Sequence, residues 1–437
     1  MLDDNVRPPW RARTTLVFTL TLLAIGLGNL QRMPYLMGEV GGGTFFLAYV
    51  VALCVLSVPV LIAEVVIGSL GRGSPGLAMH WAASAANVDS RWQYFGVAQA
   101  ILALLIAAMA GLMTVWCVDW AITIYSGNLA AASAVDIANH FVTDLSDTPG
   151  QFVDGLAVVA LAGAVSLFGG RFGIGALAWL VLPVVSIGLL GVLDFVFVYT
   201  DLQPVGEFLF TLDLTTWHPE VMMPAVASAG LTLGAGLGVG MAMGTHAPYG
   251  LPWVRSVLAV GLLDTAFMLV MAIIFIATLF ATNTAAAEGL TAILVSLPYA
   301  LVNLPLGETY GALFFAILAV ISGSALVLLM EPAVLLLGDE WQLGRVSAVI
   351  LVATGLAVLL AVLLFGSGMA VVAMAHAITE VLVPLSLLMT AFFAGWVMPR
   401  PVLRGELYRE PLWLFRLWWA LVRWVVPPLC LFWLLMG

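Results

Sequence analysis

Eleven apolar segments run through the chain, at about 14–37, 43–70, 93–125, 152–169, 174–199, 222–248, 253–282, 308–337, 345–365, 369–397 and 412–436. A helix of about 20 residues crosses the hydrocarbon of a bilayer, and only helices and closed barrels satisfy their own backbone hydrogen bonds there. Segments of this length predict an all-α polytopic membrane protein with about 11 transmembrane helices. The links are too short for an aqueous domain. Only 9% of the residues are charged, against roughly 25% in soluble domains, and mean hydropathy is +1.13. The expected partners are a lipid bilayer and a small-molecule substrate, with no nucleic acid.

The placement of charge says more than the net −10. Arg7, Arg11 and Arg13 precede the first segment, and Arg72 and Arg91 bracket the link after the second. Arg171, Arg255 and Arg345 follow the fourth, sixth and eighth, and Arg400, Arg404 and Arg409 follow the tenth. The alternate links carry acids: Asp136, Asp144 and Asp147, then Asp201, Glu207, Asp213 and Glu220, then Glu288. Positive loops stay on the cytoplasmic side. This predicts a cytoplasmic N-terminus, an extracytoplasmic end after the eleventh segment, and a multi-pass protein of the plasma (bacterial inner) membrane. The first segment has no small-residue cleavage site after it and reads as a retained helix, not a signal peptide. Cys54, Cys117 and Cys430 lie in apolar runs without metal-ligand spacing and read as small buried hydrophobes.

Two segments carry what a plain membrane helix avoids. In the first, Gly26, Gly28 and Asn29 are followed by Arg32 and Pro34. In the sixth, Gly230, Gly234, Gly236, Gly238 and Gly240 surround Thr232. Glycine makes unwinding cheap, and unwound backbone is tolerated in a bilayer only around a cavity or an ion. It frees carbonyls for a cation and N–H groups for an anion. Gly26-Leu27-Gly28 echoes Gly236-Leu237-Gly238, five segments apart, as a five-plus-five inverted repeat requires.

The stretch GLGNLQRMPYLMGEVGGGTFFLAYVVALCVLSVPVLIAEVVIGSLGR, which begins at Gly26, resembles the first two helices of the neurotransmitter:sodium symporters (the sodium:neurotransmitter symporter family), of LeuT fold. Their pattern reads roughly G-x-G-N-x-W-R-F-P-Y, a G-G-G-x-F turn, then P-x-x-x-x-E and a terminal glycine. Gly41 to Phe45, Pro59, Glu64 and Gly68 match. Gln31 stands at the tryptophan and Met33 at the phenylalanine. The likeness continues through Met330-Glu331-Pro332 and Ile378-Thr379-Glu380, and bacterial members with eleven helices are known. It implies a cytoplasmic segment 1–13 and one transporter domain, 14–437. Broken helices 1 and 6 would open two repeats, at about 14–199 and 222–397, with an extra helix at about 412–436.

The resemblance further implies two sodium sites. The first would use the Ala24 carbonyl, Asn29, Thr232 and Asp264, which replaces the family's asparagine. The second would use the carbonyls of Leu22, Ile25 and Ile321 and the Ser324 hydroxyl. Ala325 stands where a further hydroxyl is usual, leaving one side-chain ligand. Arg7 and Asp339 match the pair that closes the cytoplasmic side, beside Trp10. His246 stands where tyrosine is frequent. Arg32 matches the extracellular-gate arginine, and Phe365 aligns with its usual acidic partner in the tenth helix. Glu64 and Glu380 match a carboxylate pair between helices two and ten, read as structural hydrogen bonding with one proton retained.

Substrate-pocket positions carried over from the family are Gly26, Leu27, Gly28, Ile106 and Ala110, with Leu231, Gly234, Leu237 and Leu329 opposite. Ala110 replaces the tyrosine that amino-acid carriers use, and Gly26 replaces the aspartate of amine carriers. Gly230, Gly234 and Ala110 are expected to leave volume in a wide apolar pocket. Met268 stands where chloride-independent members carry glutamate, so a carboxylate at 264 would itself neutralise sodium.

These positions imply a sodium-coupled secondary active transporter, a symporter importing an amino acid or amino-acid-like molecule by alternating access. Sodium ions are the expected cofactor, with no organic cofactor and no other metal; monomer and dimer stay open. Alternatives are proton coupling through Asp264, Glu64 or Glu380, or a non-transporting membrane sensor. An enzyme is disfavoured, because His80, His140, His218, His246 and His376 lie in no recognisable catalytic or metal motif.

Overall fold

The computed structural model describes residues 10–26, 36–37, 42–127, 129, 132–212, 219–285, 289–366 and 368–436. Regular structure among them is entirely helical. The first half of the chain forms α1 (Arg13–Gly26), α2 (Gly42–Gly71), α3 (Pro75–Ala85), α4 (Ser90–Tyr125), α5 (Ala134–Ser146), α6 (Thr148–Leu167), α7 (Gly170–Tyr199) and α8 (Leu202–Phe210). The second half forms α9 (Pro219–Thr232), α10 (Val239–His246), α11 (Trp253–Ala281), α12 (Ala292–Val302), α13 (Gly307–Glu340), α14 (Arg345–Phe365), α15 (Val372–Val397), α16 (Arg400–Glu406) and α17 (Leu412–Met436).

Nine of the described helices are long and apolar enough to cross a membrane: α2, α4, α6, α7, α11, α13, α14, α15 and α17. They coincide with nine of the eleven expected segments. The other two are the first and the sixth. The first is helical over α1, Arg13–Gly26, and residues 27–35, with the expected break, lie outside the described ones. The sixth is two helices, α9 and α10, separated at 233–238.

Helix pairing follows the inverted repeat. Under the exchange of segments one to five with six to ten, the contact of the first with the seventh should mirror that of the sixth with the second. Both exist: α1 packs on α11, and α10 packs on α2. Segments three and eight, α4 and α13, form the most extensive helix pair, and segments four and nine, α6 and α14, also pair directly. α2 is flanked by both halves of the broken segment, α9 along its start and α10 along its end.

The approach of α10 to α2 is made by missing side chains. A Cβ on Gly68 would lie 2.0 Å from the Met241 carbonyl oxygen, and one on Gly244 would lie 2.4 Å from that of Val65. Small residues let backbones close in where lipid provides no hydrophobic drive for helix association.

The link helices escaped a reading based on hydropathy and charge. α5 starts at a capping box, in which Ser133 and Asp136 satisfy each other's backbone N–H groups, and it buries Ile137 and Phe141 one turn apart. Amphipathic spacing of that kind signals a helix, which the acidic charge of the link does not reveal. Of the cysteines, Cys117 and Cys430 are buried as expected, whereas Cys54 faces outward from α2.

Candidate transport site and its closed end

The break in the sixth segment is made by glycine. Gly234, Gly236 and Gly238 have φ of 65°, 81° and 68°, a region that costs other residues roughly 1–2 kcal/mol each. The helix therefore stops at Thr232 and restarts at Val239. The restarted helix presents unpaired N–H groups, and Glu64 of α2 meets them. Its Oε1 accepts from Gly238 N at 3.0 Å and its Oε2 from Gly240 N at 3.2 Å. A carboxylate at a helix N-terminus is the favourable sign of charge.

Gln99 of α4 completes this arrangement. Its Nε2 lies 3.1 Å from Glu64 Oε1, 3.2 Å from the Gly236 carbonyl, 3.2 Å from Ser386 Oγ and 3.0 Å from Thr390 Oγ1. Ser386 also donates to the Gly236 carbonyl. One buried node thus ties the break to α2, α4 and α15. Glu64 and Glu380 do not meet among the described contacts. Ser386 and Thr390 are α15 residues that bond Gln99 beside Glu64. Glu380 instead accepts from Trp433 Nε1 of α17 at 2.8 Å.

Of the residues carried over for the first sodium site, Ala24, Thr232 and Asp264 are buried, Asp264 completely. Tyr49 of α2 donates to Asp264 Oδ2 at 3.0 Å. Asn29 lies outside the described residues. For the second site, the end of α1 rests on α13. A Cβ on Gly26 would meet the Ala325 Cβ at 2.7 Å and the Ile321 carbonyl at 3.2 Å. Leu22 and Ile25 belong to the same buried turn of α1. Ser324 donates to the Val320 carbonyl at 2.7 Å, and that bond spends its proton while leaving oxygen lone pairs, which is what a cation needs.

Among pocket positions, Ala110, Leu237 and Leu329 are buried and Ile106 and Leu231 are partly so, on α4, α9, α13 and the break. Leu27 and Gly28 lie outside the described residues. Gly230 does not leave volume: a Cβ there would lie 2.3 Å from the Trp433 ring and 3.4 Å from Leu387. The eleventh helix fills the space that glycine opens.

The arginine-rich links gather at one end. Arg13 of α1 bonds Ser256 Oγ and the Arg255 carbonyl, each at 2.9 Å. Arg72 bonds the Thr245 and Ala247 carbonyls, and Arg255 pairs with Glu410 at 3.1 Å. This end is sealed by Trp10, which is buried. Its backbone N–H donates to the His246 carbonyl at 2.7 Å, and its indole to the Gly170 carbonyl at 2.6 Å. The His246 ring lies 5.7 Å from the Trp10 ring, and its Nε2 lies 3.0 Å from Glu331 Oε1. Arg345 grips Glu331 with two nitrogens, at 3.1 and 2.7 Å, and bonds the Ser166 carbonyl at 2.8 Å.

Asp339 accepts the Ser74 N–H at 2.5 Å. Arg7 and Arg32 lie outside the described residues. Phe365 ends α14 with its ring 5.6 Å from Phe152, so it belongs to the ninth segment and does not stand at the tenth-helix gate position. Glu331 and Arg345 were missed as a pair, one read as part of a motif and the other as a loop charge. The signal was present, because an ionisable residue in mid-segment is rare and partnered by default. Gln99, Ser386 and Thr390 gave no such signal.

The helix order and the broken sixth segment define an all-helical architecture of the LeuT type. The model of the sodium:neurotransmitter symporter family matches residues 7–146. A sodium-dependent transporter of Haemophilus influenzae is 21% identical over 360 residues, 81% of this chain and 79% of that protein. Another, from Methanocaldococcus jannaschii, is 24% identical over 445 residues, 97% of this chain and 89% of that protein. The crystal structure of MhsT in complex with L-phenylalanine matches with a TM-score of 0.86 at 22% identity, covering 98% of this chain and 99% of that one. The resemblance to the sodium:neurotransmitter symporter family, a family of transporters and not of enzymes, is borne out by these matches.

Proposed function

We propose that the chain is a sodium-coupled symporter that imports an apolar amino acid or a close derivative by alternating access, with sodium bound by Ala24, Asn29, Thr232 and Asp264 and by Leu22, Ile25, Ile321 and Ser324. The observation that carries this reading is the break at 233–238. Three glycines at positive φ unwind backbone inside the bundle, next to the end of α9 at Thr232. Unwound backbone at such depth belongs around a bound ion or substrate.

The relatives named as sodium-dependent transporters support the coupling ion, and the phenylalanine complex of MhsT supports an amino-acid ligand of apolar character. Ala110, Leu231, Leu237 and Leu329 suit such a side chain. Glu64 already occupies the Gly238 and Gly240 N–H groups, so a substrate carboxylate would turn to the first sodium instead.

The test is uptake of radiolabelled phenylalanine, leucine and glycine into proteoliposomes. Accumulation driven by an inward sodium gradient, and abolished without sodium, is expected. Equal accumulation driven by a proton gradient in sodium-free buffer would replace this reading with proton coupling. Sodium-dependent thermal stabilisation by an amino acid without uptake would replace it with a sensor.

A further inference from the structure

A second cluster of ligating side chains lies away from the transport site. Asp119 near the end of α4 and His140 and Asp144 of α5 each bring one ligating atom to within 4.8 Å of the others. His140 and Asp144 are spaced i to i+4, so they project from one face of α5. His140 Nε2 lies 3.2 Å from Asp144 Oδ2, but without the angles of a hydrogen bond, and this buried nitrogen has no hydrogen-bond partner elsewhere. Its ring is steadied edge-to-face by Trp120, which is buried, at 5.5 Å.

Among the described residues the only basic side chain at this place is His140. Asp119 and Asp144 are close enough to interact directly, and Asp154 of α6 adds to the same negative field. Among the described residues no arginine pairs with Asp119 or Asp144, and the chain has no lysine. Two carboxylates held this close must repel, share a proton or take up a cation, which a protonated His140 supplies only in part. The His140 and Asp144 side chains are 31% and 30% exposed, which leaves a hydrated ion a way in.

We propose that Asp119, His140 and Asp144 form a binding site for a divalent transition-metal ion of zinc's class. One imidazole and two carboxylates suit borderline ions of this kind and are a poor set for magnesium. Solvent completes the coordination. The bound ion ties α5, carried on the link between the third and fourth segments, to the end of α4. No part of this site belongs to the transport pocket.

The test uses the full chain in detergent, without a polyhistidine tag, stripped with chelator and titrated with zinc chloride in a calorimeter. One equivalent of zinc should bind and raise the thermal unfolding midpoint. Asp119→Asn, His140→Ala and Asp144→Asn should each weaken binding by about tenfold or more, the scale at which metal sites respond to altered ligation. Asp119→Asn changes almost no volume, so an unaltered midpoint without zinc separates loss of the site from loss of the fold. Excess magnesium should leave zinc binding unchanged. Absence of zinc binding in the parent protein overturns the proposal, as does unchanged binding in all three variants. Equal binding of magnesium with no effect of His140→Ala also overturns it, leaving an acidic patch only.

Discussion

Glu64 Oε1 accepts the Gly238 N–H at 3.0 Å, so a side chain from the second segment closes the open helix end in the sixth. The same carboxylate takes the Gly240 N–H through its other oxygen. Glu64→Gln offers only one acceptor oxygen, and a buried N–H without a partner costs about 1–3 kcal/mol. We expect a lower unfolding midpoint and faster amide hydrogen exchange at 238–240. Unchanged exchange there would show that Glu64 does not hold the break.

The contact of Gly68 with Met241 makes a steric prediction. A methyl group on Gly68 would lie 2.0 Å from a carbonyl oxygen, whereas one on Gly191 of α7 meets nothing within 4 Å. Overpacking costs about 1–3 kcal/mol or more, while alanine in an open helical position gains roughly 0.5–1 kcal/mol. Gly68→Ala should lower the thermal midpoint and Gly191→Ala should leave it equal or higher. The opposite order would mean that α2 and α10 are not in this contact.

Closure of the end that Trp10 covers depends on Glu331, which is fully buried between Arg345 and His246. Removing one partner of a buried ion pair costs about 3–5 kcal/mol. Arg345→Ala should loosen the end sealed by Trp10. With the three native cysteines replaced by serine, a cysteine at buried Thr245 should react faster with a membrane-impermeant maleimide in the Arg345→Ala background. An equal rate would sink the role assigned to the pair.

Asp264 gives a pH prediction. A proton and a sodium ion compete for one carboxylate, so if Asp264 contacts sodium, apparent sodium affinity falls as pH falls. Asp264→Asn should remove that dependence and create a need for an anion, from chloride or a substrate carboxylate. The measurement is sodium affinity of both proteins across pH, with chloride replaced by gluconate. Identical profiles would leave Asp264 as a neutral stand-in for asparagine, held by Tyr49.

Helical class, the place of nine apolar spans and the position of the sixth-segment break were legible before any coordinates. They rest on local physics: apolar length against bilayer thickness, and the low cost of positive φ at Gly234, Gly236 and Gly238. A residue's own type and its near neighbours decide both. The arginine alternation likewise foretold which links share an end, because arginine's hydration forbids a lipid-facing alternative.

Partnership was not legible. Gln99, Ser386 and Thr390 come together only because α4 and α15 both flank the break, and no spacing within one helix encodes that. Gly230 read as open space until α17 placed Trp433 against it. Motif matching set Glu380 beside Glu64, and only the packing of α17 showed that Glu380 accepts from Trp433. His140 and Asp144 showed their i, i+4 spacing in the sequence, but Asp119 stands more than twenty residues earlier, and only the packing of α5 against α4 joined them. Local sequence determined where helices form and where they break. Which side chains share a site was decided by helix packing, because contacts between residues far apart in the chain depend on how whole segments are oriented against each other.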